Sequence, residues 1–202
     1  MKARAVTAPR TASSATAATP AASARAGHTL VELLAVLAIS LVLLSIAMPA
    51  MGDMLRAYRL RMAAADLFGA VELARGQAIA LGQTVLLAPT AATLDWGDGW
   101  TVFIDRNGDR RPDGGDEILV RRPSPAPGIA YTMHFGAQQG PPYLAYNSMG
   151  RGCNHANSLA SRFGTMTLKQ GEQIRRIKIN MLGRARLCDP AREPLACAGA
   201  DS

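Results

Sequence analysis

Residues 27–51 read Gly27-His28-Thr29-Leu30-Val31-Glu32-Leu33-Leu34-Ala35-Val36-Leu37-Ala38-Ile39-Ser40-Leu41-Val42-Leu43-Leu44-Ser45-Ile46-Ala47-Met48-Pro49-Ala50-Met51. From Leu30 to Met51 only Glu32, Ser40, Ser45 and Pro49 interrupt the apolar run. Its 22 residues, rising about 1.5 Å each, span roughly 33 Å, close to the thickness of a hydrocarbon core. Working back from this helix, residues 1–27 hold eleven Ala, seven Ser or Thr, four basic residues and no acid. That composition cannot bury a core and predicts a removable leader. The basic leader, with no comparable cluster just after the helix, orients the N-terminus to the cytoplasm, so the chain from about Asp53 is exported.

An ordinary secretory signal is the competing reading, with Ser45-Ile46-Ala47 before a cut. The apolar core from Leu33 to Met48 is longer than a usual signal core. Glu32 also stands at its start, and an acid costs about 2.5 to 3.5 kcal/mol at mid-membrane. That carboxylate needs a partner, or must snorkel to the interface.

The whole chain of 202 residues is long enough for one ordinary domain and an appendage. Its formal charge is +7, but Lys2, Arg4, Arg10 and Arg25 lie in the leader, and without it the balance falls to +3. An argument for a nucleic-acid partner must therefore rest on local clustering. Three cysteines, Cys153, Cys188 and Cys197, exclude a disulfide-dense scaffold and a four-cysteine zinc site, and allow one intramolecular bridge at most.

Working forward, Pro49 and Gly52 can kink or loosen the helix. Beyond them Leu55, Tyr58, Met62, Ala65, Phe68 (or Gly69) and Val71 recur at three- and four-residue steps, predicting an amphipathic continuation to about Leu81 and a stop at Gly82. The period then changes. Strands are expected near Thr84–Ala88, Trp100–Ile104, Glu117–Arg121, Ile129–Phe135, Tyr143–Asn147, Phe163–Leu168, Ile174–Asn180 and Arg184–Cys188. The expected fold is α+β, one long N-terminal helix behind a twisted antiparallel sheet. Its segments are a leader at 1–27, a hydrophobic helix at 28–52, an amphipathic continuation at 53–82 and a β-rich exported head at 83–202.

The stretch from Gly27 to Leu34, followed by an apolar run and Pro49, closely resembles the class III signal of type IV pilins and type II secretion pseudopilins. The resemblance implies cleavage after Gly27 by a prepilin peptidase and methylation of the new amine at His28. It also implies an assembly role for Glu32, whose partner would be the His28 amine of a neighbouring subunit. Two departures stand out: His28 replaces the family's usual Phe, and the leader is longer than the short type. The resemblance continues through Ala74-Arg75-Gly76-Gln77-Ala78-Ile79, Gly82-Gln83-Thr84-Val85, Gly99-Trp100-Thr101-Val102-Phe103-Ile104-Asp105, Asp113-Gly114 to Glu117-Ile118-Leu119, Tyr146-Asn147-Ser148-Met149-Gly150-Arg151-Gly152 and Gly183-Arg184-Ala185-Arg186. Over nearly all of the chain after the leader, these blocks are similar to the FimT/GspH family of minor pilins and pseudopilins. The implied fold is type IV pilin-like. The implied partners are other pilins, the prepilin peptidase and the inner membrane, with no catalytic residue and no cofactor. The implied location is the inner membrane for the prepilin, single-pass with its N-terminus cytoplasmic, and the periplasm or cell surface for the assembled filament.

FimT-like members of the family belong to type IV pili, some with a role in DNA uptake, whereas GspH-like members belong to type II secretion pseudopili. Gly183-Arg184-Ala185-Arg186 matches a Gly-Arg-x-Arg pattern associated with DNA binding by FimT-like pilins. Around it, Lys169, Arg175, Arg176, Lys178, Arg184 and Arg186 face a single acid, Glu172, between positions 169 and 186. Period two puts Arg184 with Arg186, and Arg176 with Lys178, on shared strand faces, where a hairpin through Met181-Leu182-Gly183 would let the charges converge. Such a cluster suits phosphate oxygens without regard to base sequence. The lack of Trp, Tyr or Phe between 164 and 202 points to backbone contact rather than base stacking. The alternative is a solvated basic edge that discourages sheet aggregation. Arg184, Arg186, Arg176, Lys178 and Arg175 are therefore the candidate DNA-binding residues.

Other constellations carry less. Asp105-Arg106-Asn107-Gly108-Asp109 with Asp113, Asp116 and Glu117 resembles a calcium loop, but Arg110 stands where an EF-hand needs Gly, and the family resemblance implies a hairpin turn there. Cys153-Asn154-His155 offers too few ligands for a metal, and His134 falls on an expected strand. No metal site is expected. For the exported cysteines, a bridge between Cys188 and Cys197 is preferred over Cys153 with Cys188.

Overall fold

A computed structural model describes residues 29–90, 93–123, 127–136 and 142–198; Gly27 and His28 lie outside them. The chain divides into two compact units, Met1–Ser45 and Ile46–Ser202. Helix α1 (Leu30–Leu81) contributes to both. Thr29 caps its start: the Thr29 hydroxyl accepts from the Glu32 backbone N–H at 3.3 Å, placing Glu32 in the first turn, where a carboxylate complements the helix dipole. The helix stops at Gly82, whose φ of +64° is the left-handed conformation that a helix C-terminus favours. Pro49 and Gly52 do not end it.

In the first unit, Leu30, Val31, Leu33, Leu34, Leu37 and Leu41 are all exposed. The helix reaches a mean hydropathy of 2.7 in its most apolar window, long and apolar enough to cross a membrane.

In the second unit the helix buries Leu60, Ala63, Ala64, Leu67, Ala70, Val71, Ala74 and Ala78, a run at three- and four-residue spacing. This corrects the expected face: Leu55, Tyr58 and Met62 are 46%, 54% and 45% exposed. Side-chain size misleads here. The inward face is mostly alanine, which lets the strands approach the helix backbone closely, while Leu60, Leu67 and Val71 fill the gaps.

The strands are β1 (Val85–Pro89), β2 (Gly99–Ile104), β3 (Glu117–Pro123), β4 (Ala130–Phe135), β5 (Leu144–Tyr146), β6 (Gly152–Cys153), β7 (Gly164–Gln170), β8 (Gln173–Ile179) and β9 (Ala185–Cys188). They form two antiparallel sheets rather than the one expected, in the orders β3-β2-β1-β5-β6 and β4-β7-β8-β9. Strand β6, only two residues long, had no signal of alternation. Val85, Leu87, Trp100, Val102, Leu144 and Tyr146 from the first sheet join Met166, Leu168, Ile177 and Ile179 from the second in one core with the helix. Each such large side chain contributes roughly 1.5–3 kcal/mol by leaving water. The alternate residues Leu86, Ala88, Phe103, Tyr143, Ala145 and Cys153 form a second cluster on the other face of the first sheet. That is why β1 is buried at every position. A short helix α2 (Pro194–Cys197) follows β9.

Candidate nucleic-acid interface

The basic residues sit on the β8–β9 hairpin, and the register decides which of them meet. Lys178 lies opposite Arg186 on β9 and Thr165 on β7, while Ile177 and Ile179 point into the core. Lys178, Arg176 and Arg186 therefore share the face turned away from α1. Arg184, two residues before Arg186, is exposed. Arg175 does not join them. It lies on the opposite face of β8, pairs with Asp189 at 2.9 Å, and both side chains are mostly buried. Arg176 is half-buried, with its Nε enclosed and without a hydrogen-bond partner. Lys178 is also engaged: its ammonium donates to the backbone carbonyls of Cys197 (3.3 Å) and Ala198 (2.5 Å), at the end of α2. Among the five, Arg184 and Arg186 are the exposed cations.

These two arginines line a groove of about 410 Å³ with Phe163, Met181 and Lys178, while Ile179 and Ala185 border it with their side chains on the core face. Phe163 immediately precedes β7 and lies one position outside the stretch 164–202 that lacks Trp, Tyr and Phe, so the sequence pattern alone did not join it to the basic cluster. Two like-built turns support this end of the head. In each, an Asn side-chain oxygen accepts from the backbone N–H two and four residues on. Asn147 holds Met149 and Arg151, and Asn180 holds Leu182 and Arg184, at 3.0 to 3.1 Å. Each turn has a glycine in the left-handed region, Gly150 at φ +69° and Gly183 at φ +77°. A Cβ on Gly183 would stand 2.3 Å from the Gly150 carbonyl oxygen and 2.8 Å from the Gly152 nitrogen. Only glycine permits this close approach as well as the turn. Arg75 of α1 donates to the same Gly150 carbonyl at 2.9 Å, fixing the turn to the helix. Arg151 thus occupies in one turn the place that Arg184 occupies in the other, and it is exposed.

Elsewhere in the head, Cys188 is bonded to Cys197 and Cys153 is a buried free thiol. Burial pushes the Cys153 thiol up from 9.0 to about 11, only partly offset by the nearby Arg162 guanidinium. Arg162 is itself buried, stacked 4.1 Å over the Tyr143 ring and 5.4 Å from that of Phe135, and burial lowers its pKa. The 105–116 connection joins β2 to β3 as an antiparallel pair. Asp105, Asp109 and Asp116 place carboxylate oxygens within 4.8 Å of one another. Those oxygens also fold the loop: Asp105 accepts from Gly108 and Arg110, Asp109 from Arg111, and Asp116 from Arg106 and Asp113. Arg110 takes φ +64°, the conformation that an EF-hand assigns to Gly. His134 is exposed on β4.

Comparison with known proteins agrees with this architecture. Two crystal forms of the type IV minor pilin FimU from Pseudomonas aeruginosa PAO1 share the fold. They have TM-scores of 0.51 and 0.50 at 18% and 16% identity, covering 65% of this chain and 90% and 94% of theirs. The minor pseudopilin EpsH of the Vibrio cholerae type 2 secretion system is more distant, with a TM-score of 0.45 at 14% identity over 65% of this chain and 98% of its own. No curated protein sequence matches. Residues 22–48 match the prokaryotic N-terminal methylation motif, which with the apolar helix fits a membrane-anchored prepilin. Residues 63–183 match the family described as type II transport protein GspH, and the chain belongs to that family of minor pilins and pseudopilins.

Proposed function

We propose that this protein is a FimT-like minor pilin of a type IV pilus, which enters the filament through its helical stem and binds DNA with its head. In this reading a prepilin peptidase cuts after Gly27 and methylates His28. The apolar helix holds the precursor in the inner membrane, and Glu32 sets register by pairing with the His28 amine of a neighbouring pilin. The role is non-enzymatic.

The observation that carries the DNA reading is the pair of exposed guanidiniums, Arg184 and Arg186, held on a hairpin whose turn is packed against a second turn. Rigid guanidiniums suit phosphate oxygens, and the contact is independent of base sequence. The full chain in nonionic detergent micelles should bind unrelated DNA sequences similarly, with affinity falling steeply between about 50 and 200 mM salt. Replacing Arg184→Gln and Arg186→Gln together should weaken binding and flatten the log-log salt slope by roughly two units. Equal affinity of parent and double variant would refute the reading.

The second reading, a GspH-like pseudopilin of a type II secretion system, is favoured by the description of the matching family. It predicts no DNA binding at low salt.

A further inference from the structure

The groove beside Arg184 and Arg186 contains more than a phosphate contact needs. It sets the apolar side chains of Phe163 and Met181 beside the cations Arg184 and Arg186. A duplex presents a convex ribbon of phosphates with its bases stacked inside, and has no group to place in an apolar concavity. An unpaired strand has one: each base offers a flat π-face beside its phosphate.

The paired turns extend this surface. Met181 lines the groove and also a small depression next to it, together with Met149, Arg151 and Leu159. Met149, Met181 and Leu159 are 64%, 58% and 82% exposed. Arg184 lines the groove and Arg151 the depression, Met181 borders both, and Gly183 packs on residues 150–152 between them. An aromatic side chain on which a base can stack, set in a positively charged groove that tracks the backbone, is the pattern by which proteins hold single strands.

We infer that this end of the head binds single-stranded nucleic acid, with one unpaired base seated on Phe163 and the backbone running from Arg186 and Arg184 over Met181 to Arg151. This rests on the DNA reading above and adds the form of the ligand and two residues, Phe163 and Arg151.

The test uses the full chain in nonionic micelles, a fluorescent oligothymidylate carrying one 2-aminopurine, and a duplex of the same length. The single strand should bind about 10-fold more tightly than the duplex, with quenching of the 2-aminopurine as it stacks. Phe163→Leu should remove the quenching and most of that preference while leaving duplex affinity unchanged; Phe163→Tyr, which keeps a ring, should retain both. Arg151→Gln should flatten the single-strand salt slope by roughly one unit. Circular dichroism checks the fold of each variant. Equal affinity for the two forms, or quenching that survives Phe163→Leu, overturns the inference and leaves the DNA reading standing if the Arg184/Arg186 variant still binds more weakly. If the parent binds neither form at low salt, the DNA reading falls and this inference with it.

Discussion

Arg186 donates to the Glu193 carboxylate at 3.2 Å while its side chain stays 60% exposed and that of Glu193 54% exposed. An acid from the C-terminal segment thus occupies one of the two cations that the proposed interface offers to phosphate. An exposed pair of this kind contributes about 0–1 kcal/mol and is screened by salt, so an incoming phosphate can displace it. Glu193→Gln should strengthen DNA binding by about two- to five-fold at low salt. The gain should vanish above roughly 200 mM as screening removes the competition. Thermal denaturation should move little. Unchanged binding would mean that Arg186 does not meet the phosphates.

Gly183 has a structural role separable from that of the arginines beside it. Gly183→Ala places a methyl 2.3 Å from the Gly150 carbonyl oxygen and forces alanine to φ +77°. The substitution should cost at least about 2 kcal/mol in chemical denaturation. Gly76→Ala is the control, because nothing lies within 4 Å of its new methyl. It sits inside α1 and should gain about 0.5–1 kcal/mol. Equal effects of the two would contradict the packed-turn account.

The Cys153 thiol should be inert while the head is folded. With its pKa pushed up to about 11 and its side chain buried, alkylation at pH 8 should be far slower than in the unfolded chain. The sign for stability follows. Between pH 9 and about 11 the unfolded thiol has lost its proton and the folded one keeps it, so this group's contribution is complete below pH 9 and declines as pH rises. Cys153→Ala should lessen the loss of stability over that window. Rapid alkylation under native conditions would show that the site opens.

Much of the fold was legible where a residue type has one physical use. The apolar run from Leu30 marked the helix start, Gly82 its end, and β-branched or aromatic runs between turn residues located the longer strands to within one or two residues. The inward face of α1 was not legible, because alanines carry little hydrophobic weight although they are what permits close packing. The division into two sheets depends on long-range pairing, which local pattern does not encode. Within the candidate site, period two puts Arg176 and Lys178 on one face of β8, but Arg175 was counted with them, and its pairing with Asp189 and that of Lys178 with the tail carbonyls required the tertiary structure. The repeated Asn-x-x-Gly-Arg pattern at 147–151 and 180–184 was present in the sequence and would have pointed to Arg151.

Whether the chain is a prepilin whose mature form enters a filament is read by mass spectrometry of the protein in pili sheared from cells. The mature chain should begin at His28 with a methylated amine. Gly27→Ala should leave the precursor uncut and absent from the filament fraction. A mature terminus near Met48, or an intact precursor in the filaments, would contradict the prepilin reading.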